Sequence, residues 1–545
     1  MTSPSVAPGA VGADAPAPLP GQIRYIIGNE ACERFSFYGM RNILVEFLAA
    51  SVLLAALPIL DRQGYAKDIF HTFVIGVYFF PLLGGWLSDR FFGKYNTVLW
   101  FSLVYCAGHA CLAMFEDSRS GFFTGLFLIA LGSGGIKPLV VSFVGDQFDQ
   151  TNKSRARVVF DAFYWIINFG SFFASLLMPL VLRNWGAAWA FGIPGLLMFI
   201  ATLIFWLGRK QYVNVPPSGP HPDSFLSVVK TALTHGAPGV GSLIAGAAIT
   251  VAGLMLALWA TGAPIWPAGW GFVITACLAL GTLIGGVGWG ASLQLDRARD
   301  SHPEAAIEGV RAVLRILVVF ALVTPFWSLF DQKASTWVLQ GGEMVMPTFA
   351  SLPDGIAAFL RGWFASPSQM QALNPLFVMM LIPFNNLVLY PALRRLGFNP
   401  TPLRRMGWGI AFSAVAWVLA GVIQLQLDTG ASLSIGWQTW PYLLLTFGEV
   451  LVSATALEFA YSQAPHAMKG VIMAFWYLTS TFGGLWVLLT NATVRHPGVI
   501  SWINGQGWSE NAFLMFFFAG FAAAAALAFI AYARRYPVQD NYRKA

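Results

Sequence analysis

The sequence predicts an all-α membrane protein of about fourteen spanning helices. Three observations carry that prediction: composition, the length of the apolar runs, and the placement of basic residues. Of 545 residues, 57% are apolar and only 10% charged, against about 25% charged in a soluble domain. In lipid a backbone can satisfy its own polar groups only as helices or as a closed barrel. The apolar runs here are continuous rather than alternating and about 20 residues long, which is the helical solution. The net charge of +7 is therefore read as a topology signal, not a nucleic-acid one.

Taken in order, Met1 to Pro20 is rich in Pro, Ala, Gly and Ser. It has no basic start leading into an apolar run, so it reads as a disordered tail rather than a signal peptide. Apolar spans follow at 23–57, 69–88, 95–115, 121–144, 157–182 and 187–208. A further pair lies at 239–262 and 268–292. Six more lie at 310–340, 370–391, 405–426, 439–462, 469–490 and 511–533. The expected domains are thus 1–20, a tail; 21–210, a six-helix bundle; 211–308, a linker with an inserted hairpin; 309–536, a second six-helix bundle; and 537–545, a tail. The pair at 239–292 is expected to be peripheral.

With the N-terminus inside, the cytoplasmic side holds Arg24, Arg90, Lys94, Lys153, Arg155, Arg157, Arg209, Lys210, Arg297, Arg299, Arg394, Arg395, Arg404, Arg405, Lys469, Arg534, Arg535, Arg543 and Lys544. The opposite side holds only Arg62, Lys67, Arg119, Arg183, Arg361 and Arg495. This positive-inside bias, with an even number of helices, places both termini in the cytoplasm. The four cysteines, Cys32, Cys106, Cys111 and Cys277, fall in apolar segments without a CxxC pair. Neither a disulfide framework nor a zinc site is indicated.

The first span holds an unusual stripe: Glu30, Glu33, Arg34, Phe37, Tyr38 and Arg41 share one helical face. A charged residue at a helix centre costs about 2.5–3.5 kcal/mol on insertion scales. Glu30, Glu33, Arg34, Arg41, Lys137, Asp331 and Glu449 would together cost about 20 kcal/mol if they faced lipid unpaired. They must face a cavity and one another. Glu30 and Arg34 stand four apart in the favourable acid-first order. Lys137 has no partner in its own helix, so its counter-charge is expected from Glu30, Glu33 or another helix.

Between the second and third spans stands Gly85-Trp-Leu-Ser-Asp89-Arg90-Phe-Phe-Gly93-Lys94. It resembles the cytoplasmic latch motif of the major facilitator superfamily. That resemblance implies two six-helix halves with a midplane site between them, here with an inserted helix pair.

Four further stretches narrow the likeness. They are Glu30-x-x-Glu33-Arg34-Phe35; His71-Thr-Phe-Val leading to Tyr78; and Gly132-Ser-Gly-Gly-Ile-Lys137-Pro138 with Gly145-Asp146-Gln-Phe148 and Phe163-Tyr-Trp-Ile-Ile-Asn168-Phe-Gly170. The fourth is Phe326-Trp327-Ser-Leu-Phe-Asp331-Gln332, joined by Gly448-Glu449 and Leu457-Glu458-Phe-Ala-Tyr461-Ser-Gln-Ala-Pro465. In this order they resemble the proton-dependent oligopeptide transporter family, from about Gly28 to Gly470 outside the inserted pair. The pair is similar to one in bacterial members. His71 and the Tyr461 run resemble the animal peptide transporters.

The resemblance implies a proton-coupled symporter of di- and tripeptides in the bacterial inner membrane, with the proton as coupling ion, no other cofactor, no nucleic-acid partner, and function as a monomer. It assigns Glu30, Glu33, Arg34, His71 and Asp331 to proton coupling, Asp331 at the outer gate. It puts Lys137 near the peptide carboxylate and Glu449 at the peptide amino group. Tyr38, Arg41, Tyr78, Asn168, Trp327, Ser453 and Trp476 complete the expected substrate site. The charge logic agrees, since a zwitterion needs a cation at one end and an anion at the other. A carboxylate beside a cation titrates low, and separating and desolvating it reverses this, so proton uptake and conformational change become linked.

Other readings stand beside these. Glu30 and Arg34 also read as a structural pair. His71 is expected near the outer end of its helix, where a histidine alone is usually solvated or capped. Glu458 is half a turn out of phase with Glu449 and reads as packing. Gly134, Gly135 and Pro138 read as close packing and a bend. Two residues depart from the family pattern: Phe37 stands where a tyrosine is common, and Lys333 follows Asp331 by two, a spacing that does not let them face each other. Rival functions are transport of another small zwitterion or anion, or a non-transporting peptide sensor. An enzyme is not indicated, because neither a ligand-spaced His/Cys/Asp cluster nor a nucleotide loop is present.

Overall fold

The computed structural model describes residues 19–148, 156–217, 219, 221–267, 269–463 and 468–537. Among these residues the chain is helical, with one isolated bridge, Val345 to Ser434, in place of any strand. The tails, the basic loop around Lys153 and Arg155, and the Ala464–Pro465 end of the last motif lie outside the described residues.

The first six helices are α1 (Ile23–Ala50), α2 (Ile59–Leu87), α3 (Gly93–Met114), α4 (Arg119–Asp146), α5 (Ala156–Trp185) and α6 (Ala187–Leu207). The linker holds α7 (Phe225–Thr234), and the inserted hairpin is α8 (Val240–Ala260) and α9 (Phe272–Leu293). Then come α10 (Glu304–Asp331), α11 (Thr336–Gly342), α12 (Asp354–Trp363), α13 (Leu373–Phe384), α14 (Tyr390–Arg395), α15 (Pro402–Asp428), α16 (Thr439–Gln463), α17 (Lys469–Val494), α18 (Pro497–Gly505) and α19 (Glu510–Ala533). Each of the fourteen expected spans overlaps a helix, but 310–340 runs through α10, a 3-10 turn and α11, and 370–391 through α13, a π-helical turn and α14.

Eleven segments among the described residues are long and apolar enough to cross a membrane, one of them, Asp61–Met114, covering both α2 and α3. This is a multi-pass membrane protein. Helix α1 is missing from that set for a physical reason: Arg24, Glu30, Glu33, Arg34, Arg41 and Glu46 interrupt its apolar surface. Of these, Glu30, Glu33, Arg34 and Arg41 are buried by protein, Glu46 is half-buried, and Arg24 is exposed at the helix start.

The structure corrects several boundaries. The span expected at 23–57 ends as a helix at Ala50, because Ser51 is extended and a short 3-10 turn, Val52–Leu54, leads to Pro58. The span expected at 69–88 begins at Ile59. Its first turns carry Asp61, Arg62, Lys67 and Asp68, which lower the hydropathy without breaking the helix. Helices α7, α12 and α18 lie in stretches read as connections. They are 10, 10 and 9 residues long, too short to span a bilayer.

Helices α1–α6 bury one apolar core, with α1 against α5 and α6, and α2 and α3 both against α4. Close approach of α2 to α4 depends on glycine: a Cβ on Gly84 would collide with the carbonyl of Gly134, so the expected packing role of Gly134 is seen directly. Helices α10 and α15–α19 bury two further cores. The α8–α9 hairpin packs on itself and against α10 and α17. Contacts between the two sets of six run through α2 with α17 and through α5 with α13.

Candidate functional site

The stripe on α1 is buried, with Glu30 2%, Glu33 0% and Arg34 8% exposed. Arg34 Nε lies 2.8 Å from Glu30 Oε1 and 2.6 Å from Glu33 Oε2. Two carboxylates therefore share one guanidinium. With both carboxylates ionised, one cation would face two anions, an excess that a proton or an incoming cation can cancel.

Lys137 on α4 lies near enough to Glu30 and Glu33, its expected counter-charges, for them to act on it electrostatically, but not in direct contact. No described carboxylate forms an ion pair with it. Its ammonium sits 3.4 Å from the ring centroid of Phe37 and 5.3 Å from that of Tyr78. Glu30 and Glu33 are already folded onto Arg34, so aromatic faces hold the cation instead. Phe37, the departure from the family pattern, is thus the platform under Lys137. Tyr78 in turn stacks on Tyr477 of α17 at 6.3 Å.

Further along α1, Arg41 Nη2 lies 2.7 Å from Asp331 Oδ1 at the end of α10. The sequence reading placed these two residues in different roles, and the structure joins them in one buried ion pair between the two sets of helices. Asp331 Oδ2 and Arg41 Nε have no hydrogen-bond partner, so the pair is held by one contact. His71 is also displaced from its expected position. Because α2 begins at Ile59, His71 lies well inside the helix, fully buried, with Nε2 3.0 Å from Ser335 Oγ beyond α10.

Lys333 and Glu449 are linked through a residue the sequence reading passed over. Lys333 Nζ donates to Asn374 Oδ1 at 2.8 Å, and Asn374 Nδ2 donates to Glu449 Oε2 at 2.6 Å and to Thr446 Oγ1 at 3.0 Å. The Lys333 ammonium also lies 3.2 Å from the Phe330 ring centroid. As expected, it does not pair with Asp331. Asn374 is a neutral residue near the start of an apolar run, so composition gives it no signal.

The remaining candidates fall around this centre. Trp327 and Trp476 meet edge to face at 5.9 Å. The indole nitrogen of Trp327 and the hydroxyl of Ser453, one turn beyond Glu449, are buried without partners. Asn168 on α5 turns its amide back to the Tyr164 carbonyl at 3.0 Å. The ring of Tyr38 lies edge-on to Phe37 at 5.3 Å. The side chains of Glu458 and Tyr461 lie outside the described residues. Among the described residues, no three His, Cys, Asp or Glu side chains converge as a metal site.

At the Ala50 end of α1 a polar seam joins the two sets of helices. Glu46 accepts hydrogen bonds from Ser366 at 2.7 Å and from Ser368. Gln371 Nε2 donates to the Asn42 carbonyl at 2.8 Å, and Gln369 Nε2 to the Leu176 carbonyl at 2.9 Å. Asp68 accepts from Asn491 at 2.9 Å and pairs with Arg495 at 2.5 Å. Sequence reasoning missed Glu46 and Gln371, whose partners lie more than three hundred residues away, and Gln369, which also caps the turn at Ser366. Near the opposite end, the latch motif contributes Lys94, whose Nζ lies 2.6 Å from Asp146 Oδ2.

The chain matches a model of the POT family over residues 95–265 and 291–503. It is 31% identical over 426 residues to peptide transporter 3 of Caenorhabditis elegans, covering 75% of this chain and 51% of the relative. It is 30% identical over 441 residues to peptide transporter family 1 of Drosophila melanogaster, covering 76% and 49%. The chain thus spans about half the length of the curated relatives it matches. A crystal structure of an auto-inhibited POT family peptide transporter superposes with a TM-score of 0.90 at 64% identity, covering 96% of this chain and 99% of that one. The POT family transporter PepTSo superposes with a TM-score of 0.89 at 60% identity, covering 96% and 100%.

Proposed function

The chain belongs to the POT family of transporters, and from that premise we propose that it imports di- and tripeptides together with protons by alternating access. The observation that carries this reading is the pairing of opposite charges around one centre. Lys137 rests on aromatic rings with no bound carboxylate, while Glu449 is engaged by Asn374, which also holds Lys333. A zwitterion can give its carboxylate to Lys137 and its ammonium to Glu449. Arg41, Tyr38, Tyr78, Asn168, Ser453, Trp327 and Trp476 then contact the peptide backbone and side chains.

Coupling in this reading rests on Glu30, Glu33 and Arg34. A proton on one carboxylate leaves the other a single partner in Arg34 and removes the surplus charge. The Arg41–Asp331 pair and the His71–Ser335 hydrogen bond form the gate on the outer side, and proton arrival at Asp331 or His71 releases it. The seam at the Ala50 end then closes the site from outside. The driving force is adequate: one charge crossing 100 mV is worth about 2.3 kcal/mol, and each pH unit adds about 1.36 kcal/mol. Together these support far more than tenfold accumulation of a neutral dipeptide.

The proposal extends to a bacterial inner membrane location with both termini cytoplasmic, to function as a monomer, and to a division into 21–210, the 211–308 linker with its hairpin, and 309–536. The deciding experiment is uptake of labelled dialanine into proteoliposomes under an outside-acid gradient, with and without an inside-negative potential. Accumulation that follows the gradient and collapses with an uncoupler is the expected result. If folded protein takes up no dialanine, the substrate is another small solute, and ligand-induced thermal stabilisation selects the next candidate.

A further inference from the structure

Behind the wall that carries Trp327 and Trp476 lies a second cavity of about 540 Å³, enclosed by α9, α10 and α17. The glycines Gly281, Gly285 and Gly288 hollow out its α9 side. Phe320 separates it from the central site, since its ring lies 5.4 Å from that of Trp476. This is where the inserted hairpin meets helices that bear substrate-site residues.

The lining defines the occupant. Its three hydroxyls are already used: Ser292 donates to the Trp289 carbonyl at 2.7 Å, Thr324 to that of Ala321 at 2.8 Å, and Thr479 to that of Trp476 at 2.6 Å. The Trp486 indole donates to Thr324 at 2.9 Å. Every lining hydroxyl thus has its proton committed to a backbone carbonyl, and the indole N–H of Trp289 belongs to the exposed rim, so the interior offers no free donor to a polar ligand. The rim is continuous with the lipid-facing surface, with Trp289 62% and Val318 42% exposed, and both α9 and α10 are long and apolar enough to cross a membrane. From Leu314 to Thr324 the cavity follows α10 for about 15 Å at a rise of about 1.5 Å per residue. That is half of a hydrocarbon core about 30 Å thick, or one leaflet.

We propose that this cavity holds one acyl chain of a bilayer phospholipid, drawn from the leaflet at the Leu293 end of α9. The chain bridges the hairpin to α10 and α17, so the hairpin acts as the outer wall of a lipid site rather than as a bystander. The occupant is a single chain because the cavity is one leaflet deep and open to lipid along one side.

The test uses the full-length protein in nanodiscs of phosphatidylethanolamine and phosphatidylglycerol, released for native mass spectrometry. The native chain should retain one phospholipid under conditions that strip the annulus. Gly285→Phe should intrude into the cavity, since a Cβ there meets nothing within 4 Å. Retention should fall about tenfold, the effect of expelling about two methylenes. Equal retention by native and Gly285→Phe protein, or none by the native protein, would overturn the proposal. A second measurement on the native chain does not depend on the variant folding. Phospholipid carrying a diazirine at mid-chain should label 281–292 and 314–324 above all other lipid-facing segments, and uniform labelling would overturn the proposal equally.

Discussion

The α1 stripe and the Lys333–Glu449 centre solve the same problem in different ways. Both bury charge in a protein surrounded by lipid. On α1 the partners are near in sequence: Arg34 holds Glu30 and Glu33, and one helix makes the whole cluster. Around Glu449 the partners come from afar, Lys333 following α10, Asn374 from α13 and Glu449 from α16. The first arrangement survives rigid movement of α1, whereas the second is remade whenever those helices shift. A locally built cluster can keep a proton through a conformational change. A cluster assembled from several helices can report that a substrate has arrived.

The largest expected effect tests the local cluster. Glu33→Gln leaves Arg34 with Glu30 alone and should abolish uphill uptake, while exchange of labelled peptide across equal gradients continues. Full accumulation by this variant would remove Glu33 from coupling. Next is the contact between α1 and α10. Asp331→Asn leaves Arg41 buried without its counter-charge, and breaking such a pair costs about 3–5 kcal/mol. Spin labels near Glu46 and Ser366 should show the Ala50 end opening, and an unchanged distance distribution would deny the pair a gating role.

Smaller effects probe the assembled centre. Glu449→Ala should erase the preference for free over N-acetylated dipeptide, a loss of about 10–100-fold at about 1.5–3 kcal/mol for a hydrogen bond to a charged group. Unchanged preference would send the amino group elsewhere. Asn374→Ala should weaken binding about tenfold, with about 1–3 kcal/mol at stake for a buried polar group left unsatisfied, measured by isothermal titration. The smallest change is expected for Phe37→Leu. Losing the ring under Lys137 should cost about 0.5–2 kcal/mol of cation–π attraction, read as a severalfold rise in the KM for dialanine. No change in KM would mean that Tyr78 alone suffices to hold Lys137.

The contrast also marks how far the residues could be read without the fold. The charged face of α1 was legible because i, i+3 and i+4 neighbours meet within one helix whatever surrounds it. The latch was legible only through its resemblance to a known compact motif, and its Lys94 meets Asp146, 52 residues away. His71 was misplaced because charged residues in the first turns of α2 hid the helix start. The carboxylates near Lys137, Glu30 and Glu33, were legible as its opposite charges, but only packing revealed the Phe37 ring in direct contact. Asn374, Glu46 and Gln371 carried no signal, since a single polar residue acquires meaning from a partner the sequence does not name.

Composition and spacing by themselves determined that this chain spans a membrane many times, that its first helix buries a line of charge, and that six helices, a pair and six more follow one another. These properties depend on hydropathy and helical periodicity, which are local. Tertiary structure alone decided that Arg41 meets Asp331, that Lys333 reaches Glu449 through Asn374, and that the hairpin encloses a cavity with α10 and α17. Those contacts join helices far apart in the chain, and their geometry is set by how apolar surfaces pack, which no local pattern encodes.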